Sequence, residues 1–265
     1  MAKKTTKAAG TSKNTTGRGP ARFRILALDG GGIRGVMTAY WLTQLEKRLG
    51  GATADHFDLI AGTSTGSILA CALGMRIPAK DIVELYRMKG REIFPATAER
   101  LWDRFGRTFT QGISAPKYSD EGLEQSLRSC FGDAVLGDIG ARPRVMVTTY
   151  NTITRQAMVM KSWREEYAQV PLWEAAKASS SAPTYFPAHV TNVMGATMPL
   201  VDGGVVANNP TACAIAEAVK LHGDALPLSR LVVGSFGTGE STRPISVRQS
   251  REWGAAEWAV PVISV

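Results

Sequence analysis

At 265 residues and 28.4 kDa the chain has room for one large domain or two small ones, and its 44% hydrophobic and 20% charged content excludes a wholly disordered protein. The formal charge of +8 would suggest a nucleic-acid partner, but Lys3, Lys4, Lys7, Lys13, Arg18, Arg22 and Arg24 carry seven of those charges in an acid-free stretch, leaving +1 for the remainder. No nucleic-acid polymer is therefore expected, and no apolar run approaches the roughly 18 residues a membrane-spanning helix needs.

Residues 1–21, rich in Thr, Gly, Ala and Lys and poor in large apolar side chains, cannot bury enough surface to order themselves. They are expected to form a disordered basic tail that either solubilises the chain or touches anionic lipid heads, with one domain over 22–265. The tail lacks the apolar core of a secretory signal. Cys71, Cys130 and Cys213 are sparse, odd in number and without metal-ligand spacing. That pattern predicts buried, reduced thiols, a cytoplasmic protein and at most peripheral membrane contact. No metal and no cofactor are expected.

Phe23-Arg24-Ile25-Leu26-Ala27-Leu28 reads as a buried strand. It enters the loop Asp29-Gly30-Gly31-Gly32-Ile33-Arg34-Gly35, followed by an amphipathic helix from about Val36 to Leu49 closed by Gly50-Gly51. A second strand, Phe57-Asp58-Leu59-Ile60, leads through Ala61-Gly62-Thr63-Ser64-Thr65-Gly66 into an apolar helix over 67–73. This β-α-β opening predicts a largely parallel central sheet flanked by helices. In a Gly-x-Ser-x-Gly turn between strand and helix the serine oxygen stands clear of the sheet, while a Cβ at either glycine would crowd the turn.

Two chemistries compete for the glycine loop. Gly30-x-Gly32-x-x-Gly35 fits a dinucleotide fingerprint, yet the second strand ends without the carboxylate that would hold a ribose. The other use is an oxyanion hole: the N–H groups of Gly30, Gly31 and Gly32 at a helix N-terminus, joined by the Thr65 N–H that follows the serine. Arg34, in the first helical turn, is a candidate for binding a substrate phosphate or for fixing the loop.

Further helices are expected from Pro78 to about Lys89, from Ser119 to Cys130 and from Leu172 to Ser179. Between the first two, residues 90–117 interleave aromatic and basic side chains, suiting a satellite helix, a membrane interface or a cap. Residues 145–150 and 157–160 suggest a hairpin. A strand over Leu200-Val201 brings Asp202 to a glycine turn, with Asn209 as cap and Pro210 opening a helix to about Leu221. Leu231 to Phe236 is a last strand, and residues 250–260 are helix-like.

Jointly, Asp29 to Gly35, Gly62-Thr63-Ser64-Thr65-Gly66, Asp202-Gly203-Gly204, the stretch Ser181 to Pro187 and Ser235-Phe236-Gly237-Thr238-Gly239 resemble the patatin-like phospholipase family, over roughly residues 23–240 and in that family's order. The resemblance implies a three-layer α/β fold and a serine–aspartate dyad hydrolase acting on phospholipid or other acyl-ester lipids at a transient membrane surface. Ser64 falls on the nucleophile, Asp202 on the dyad aspartate and the Gly30–Gly35 loop on the oxyanion hole. Two departures stand out: Ser67 replaces a usual glycine, and the chain stops soon after Gly239, so a truncated C-terminus is expected. Two alternatives stay open. The order Ser64, Asp202, His222 matches a serine–histidine–aspartate triad, and a hydrolase fold can serve as a non-catalytic lipid-binding protein.

Overall fold

The computed structural model describes residues 22–93, 119–183, 185–193, 195–239 and 245–252. The basic tail, most of the 90–117 stretch and the helix-like run beyond Glu252 lie outside the described residues.

The first strand, β1 (Phe23–Leu28), is buried except at Arg24. A short 3-10 turn, Gly32–Arg34, leads into α1 (Gly35–Leu49), which ends on Gly50 in the left-handed conformation with its N–H on the Glu46 carbonyl. β2 (Leu59–Thr63) is buried throughout and gives way after one residue to α2 (Thr65–Gly74), whose ten residues are also all buried. A helix without a polar face belongs inside the fold, and α2 lies there.

The remaining helices are α3 (Ala79–Ile93), α4 (Glu121–Phe131), α5 (Leu172–Ser180), the one-turn α6 (Gly204–Ala207), α7 (Thr211–His222) and α8 (Val247–Glu252). The remaining strands are β3 (Arg144–Asn151), β4 (Gln156–Lys161), β5 (His189–Val193), β6 (Ala196–Asp202) and β7 (Leu231–Phe236). Most expected elements are present within a few residues. Pro210, expected to open this helix, takes its cap position instead, and Asn209, expected as the cap, lies one residue before it with its Oδ1 accepting the Thr211 N–H at 3.0 Å. β5 has no counterpart among the expected elements. Its alternating burial is held in place by antiparallel pairing with β6.

The sheet order is β5-β6-β3-β2-β1-β7, with β4 also paired to β3. β7, β1, β2 and β3 form the expected parallel core. β4 closes the expected hairpin on β3, and β6 and β5 add a second antiparallel pair. The layers follow from strand alternation. On β1, Phe23 and Ile25 enter an apolar cluster with Ala214 and Ala218 of α7, whereas Leu26 and Leu28 enter the larger cluster with α2 and α5. Helices thus cover both faces of a seven-stranded mixed sheet.

The register around β3 positions everything that follows. β2 pairs with β3 up to Thr63 opposite Thr148, and β6 pairs with β3 starting at Asp202 opposite Thr149. β4 occupies the other edge of β3 across both stretches. β2 and β6 therefore share one edge of β3, run toward each other and meet at their C-terminal ends. Residues 64 and 202, far apart in sequence, are brought together at that head-on junction.

Candidate active site

Ser64 is the single residue between β2 and α2, at φ 53° and ψ −127°. A residue with a Cβ holds such a conformation at a cost of roughly 1–3 kcal/mol, so the surroundings must enforce it. They do so by close packing. A Cβ on Gly62 would lie 2.2 Å from the Gly66 carbonyl oxygen, and one on Gly66 would lie 2.1 Å from that of Leu28. The first turn of α2 is pressed onto the ends of β1 and β2, which only glycine permits at these two positions.

Asp202 ends β6 and is buried. Its Oδ1 accepts the Gly204 N–H at 2.7 Å, and the Ser64 side chain is the neighbouring group that favours its charged form. Burial pushes the Asp202 carboxyl up to about 6; the bonds from Ser64 and Gly204 pull it back down without cancelling the effect. No cation is among the groups that set its ionisation. A carboxylate beside a serine hydroxyl, poised near neutrality by desolvation, can take and return a proton.

The glycine loop lies against this pair. The Cβ position of Gly30 is 3.1 Å from Ser64 Cβ, and the Gly30 carbonyl accepts a hydrogen bond from Thr238 Oγ1 at 2.8 Å. One expectation changes here. The Gly30 N–H donates to the Asn208 carbonyl at 3.0 Å, so Gly30 contributes space beside Ser64 and not an oxyanion donor. Gly31 and Gly32 open the turn that leads into α1, and Thr65 opens α2; N–H groups in such first positions have no partner inside their own helix. These three remain the candidate donors. The Thr65 hydroxyl is hydrogen-bonded to that of the buried Tyr86, which anchors this residue from behind.

Arg34 Nε reaches the Gly31 carbonyl at 3.5 Å, bracing the loop from its own first turn. No carboxylate pairs with its guanidinium among the described residues.

The structure removes His222 from consideration. Its ring stacks edge-on against Phe23 at 5.0 Å, at the start of β1, whereas the glycine loop leaves the other end of that strand. Five residue steps at about 3.3 Å put some 17 Å between the two ends. His56 precedes β2, at the same far end, and His189 Nε2 lies 3.6 Å from Glu174. The triad is excluded on geometry: sequence order matched it, but the sheet separates its members.

Several residues that hold the site escaped the sequence reading. Ser179 Oγ accepts the Ser64 N–H at 2.9 Å, and Ser67 Oγ donates to the Ser64 carbonyl at 2.6 Å. Asn208 and Thr238 pin the glycine loop. For Ser67 and Ser179 the available signal was a small hydroxyl residue at a buried helix position, which serine composition alone does not separate from packing. Among the described residues no group of three or more metal-ligating side chains gathers, and no helix is long and apolar enough to cross a membrane.

With this geometry in view, the family model for patatin-like phospholipase matches residues 26–215, a span that contains the glycine loop, Ser64 and Asp202. The chain belongs to the patatin-like phospholipase family. Patatin-like protein 3 of Arabidopsis thaliana is 31% identical over 88% of this chain and 63% of its own length. A cGAMP-activated phospholipase of Vibrio cholerae serotype O1 is 31% identical over 85% of this chain and 68% of its own. Among solved structures, VipD from Legionella pneumophila aligns with 74% of this chain and 49% of its own at 15% identity and a TM-score of 0.44. The chain thus spans about two thirds of the length of its curated patatin-like relatives.

Proposed function

We propose that this patatin-like chain is a lipid acyl hydrolase of the phospholipase A type, with Ser64 as nucleophile and Asp202 as general base. The observation that carries the reading is the junction of β2 and β6 on β3, which brings Ser64, held in its strained turn, to the buried Asp202 carboxyl. Membership of a phospholipase family supports a lipid ester as substrate.

The chemistry follows from the groups present. Asp202 accepts the Ser64 proton as Oγ attacks the ester carbonyl carbon. The developing oxyanion is held by the N–H groups of Gly31, Gly32 and Thr65, the last at the positive end of α2. Collapse expels the lysolipid alcohol, which takes the proton from Asp202. Water then gives a proton to Asp202 and attacks the acyl-serine; the fatty acid leaves and Ser64 recovers its proton. A carboxylate at its ordinary pKa of about 3.9 would be a weak base at neutral pH, so the desolvation that raises Asp202 is part of the mechanism. Arg34 is positioned to serve the phosphate of a head group or to stiffen the loop, and the site works from the cytoplasmic side as a peripheral, transient visitor to the bilayer.

Release of fatty acid from mixed phosphatidylcholine and phosphatidylglycerol liposomes, measured in EDTA, tests this. The wild type is expected to release it, Ser64→Ala and Asp202→Asn are not, and His222→Ala is. Acyl chains labelled separately at the two glycerol positions assign the ester cleaved. Full release by Ser64→Ala would sink the reading, and liposome binding without release by the folded wild type would favour a lipid-binding protein.

A further inference from the structure

The end of α5 touches both halves of the proposed dyad. The Ser179 hydroxyl accepts the Ser64 N–H at 2.9 Å and donates to the Thr148 carbonyl at 2.7 Å, on the strand where β2 stops and β6 arrives. The Ser179 carbonyl accepts the Gly203 N–H at 3.3 Å, and two residues on, the Ser181 carbonyl accepts the Asp202 N–H at 3.0 Å. On the far side of the nucleophile, the Ser64 carbonyl accepts the Ser67 N–H at 2.8 Å and the Ser67 hydroxyl at 2.6 Å. Neither Ser64 nor Asp202 is joined to the other through the strand ladder, since Ser64 lies just beyond the end of β2 and Asp202 ends β6.

We infer that Ser179 is a positioning residue for acyl transfer, its hydroxyl holding the Ser64 backbone and its carbonyl holding the Asp202 turn at one fixed separation. This rests on Ser64 being the nucleophile. Ser179 is fully buried, so its loss leaves the Ser64 N–H without an acceptor and frees a strained residue to relax away from Asp202. Displacement of a reacting atom by about 1 Å costs on the order of 100-fold in rate. Its neighbour Ser180 supplies an internal control. The Ser180 hydroxyl is buried on the same helix turn and has no hydrogen-bond partner among the described residues.

The test is steady-state kinetics of the full chain on a soluble short-chain p-nitrophenyl ester, with a pH–rate profile. For Ser179→Ala, kcat is expected to fall roughly 10- to 100-fold with KM within about twofold, the signature of a lost transition-state geometry. Because the Ser64 hydrogen bond lowers the Asp202 pKa, the acid limb of the profile is expected to move to higher pH. Ser180→Ala should match wild type within about twofold, since its hydroxyl makes no bond to lose. Should Ser179→Ala fail to fold, Ser179→Cys keeps nearly the same volume with a weak acceptor in place of a strong one, and the same changes are expected of it. Wild-type kcat and acid limb in the folded Ser179 variants, or an equal loss in Ser180→Ala, would overturn the inference. Ser64→Ala in the same assay separates the two ideas. If it still turns over, the nucleophile assignment has failed; if it is dead while the Ser179 variants are normal, only the role of Ser179 has.

Discussion

α5 carries a buried charge cluster near one point of its length and holds the candidate site at its end, and the two are built oppositely. Lys177 is buried, with its ammonium 2.7 Å from Asp120 and 2.5 Å from Glu124 of α4. The Lys177 hydrogen bond holds the Glu124 carboxyl below its ordinary 4.5. Asp202 has a hydroxyl and a peptide N–H but no cation, and burial drives it the other way, up to about 6. A buried charge that is fully compensated ties helices together; one left uncompensated is costly to the fold and useful to chemistry. The pair teaches that burial of a charge says little by itself, and that the partner decides whether it is structure or function.

Ser64→Ala should produce the largest contrast. Fatty-acid release is expected to fall by roughly four orders of magnitude or more, with the chain's melting temperature little changed, because only an oxygen at the junction is lost. A variant with substantial remaining turnover would erase the distinction drawn for this region.

Asp202→Asn is expected to lose activity by about 10³-fold or more yet to stabilise the fold near neutrality. The folded-state pKa of Asp202 lies above its ordinary 3.8, so its penalty is absent below that value, grows as pH rises toward about 6 and is fully present above it. Two pKa units correspond to about 2–3 kcal/mol at pH 7 to 8. Urea unfolding of wild type and Asp202→Asn should therefore agree near pH 4, diverge between about pH 4 and 6, and stay a constant distance apart above that. In the wild type, the same ionisation predicts that kcat/KM rises with pH through about 6.

Lys177→Met tests the other cluster. The carboxylates it leaves facing each other are partly exposed, so the expected loss is about 2 kcal/mol, below the range for a fully buried broken pair. Its pH signature has the opposite sign. Because the folded Glu124 pKa is depressed, this contribution is present above 4.5 and is lost as pH falls further. A Lys177→Met defect that persisted unchanged at pH 3 would show that packing, not charge, joins α4 to α5. Smallest of all is His222→Gln, expected to leave kcat/KM within about twofold since His222 packs on Phe23 at the far end of β1.

The sequence by itself determined the local devices: β1 and β7 from compact apolar runs, α2 from an apolar stretch without a polar face, and the Gly62 and Gly66 positions around Ser64. It also carried enough ordered motifs to indicate the family and to nominate Ser64 and Asp202. Each of these depends on residues within a few positions of one another, where periodicity and turn chemistry suffice. Only the tertiary structure decided that β2 and β6 meet head-on along β3, that Asn208 takes the Gly30 N–H, that His222 lies at the wrong end of the sheet, and that Ser179 touches both halves of the site. Those facts rest on pairings between residues tens to more than a hundred positions apart. Strand order and register set them, and the gain from burying each face and satisfying each backbone group is settled across the whole sheet rather than within any one stretch of chain.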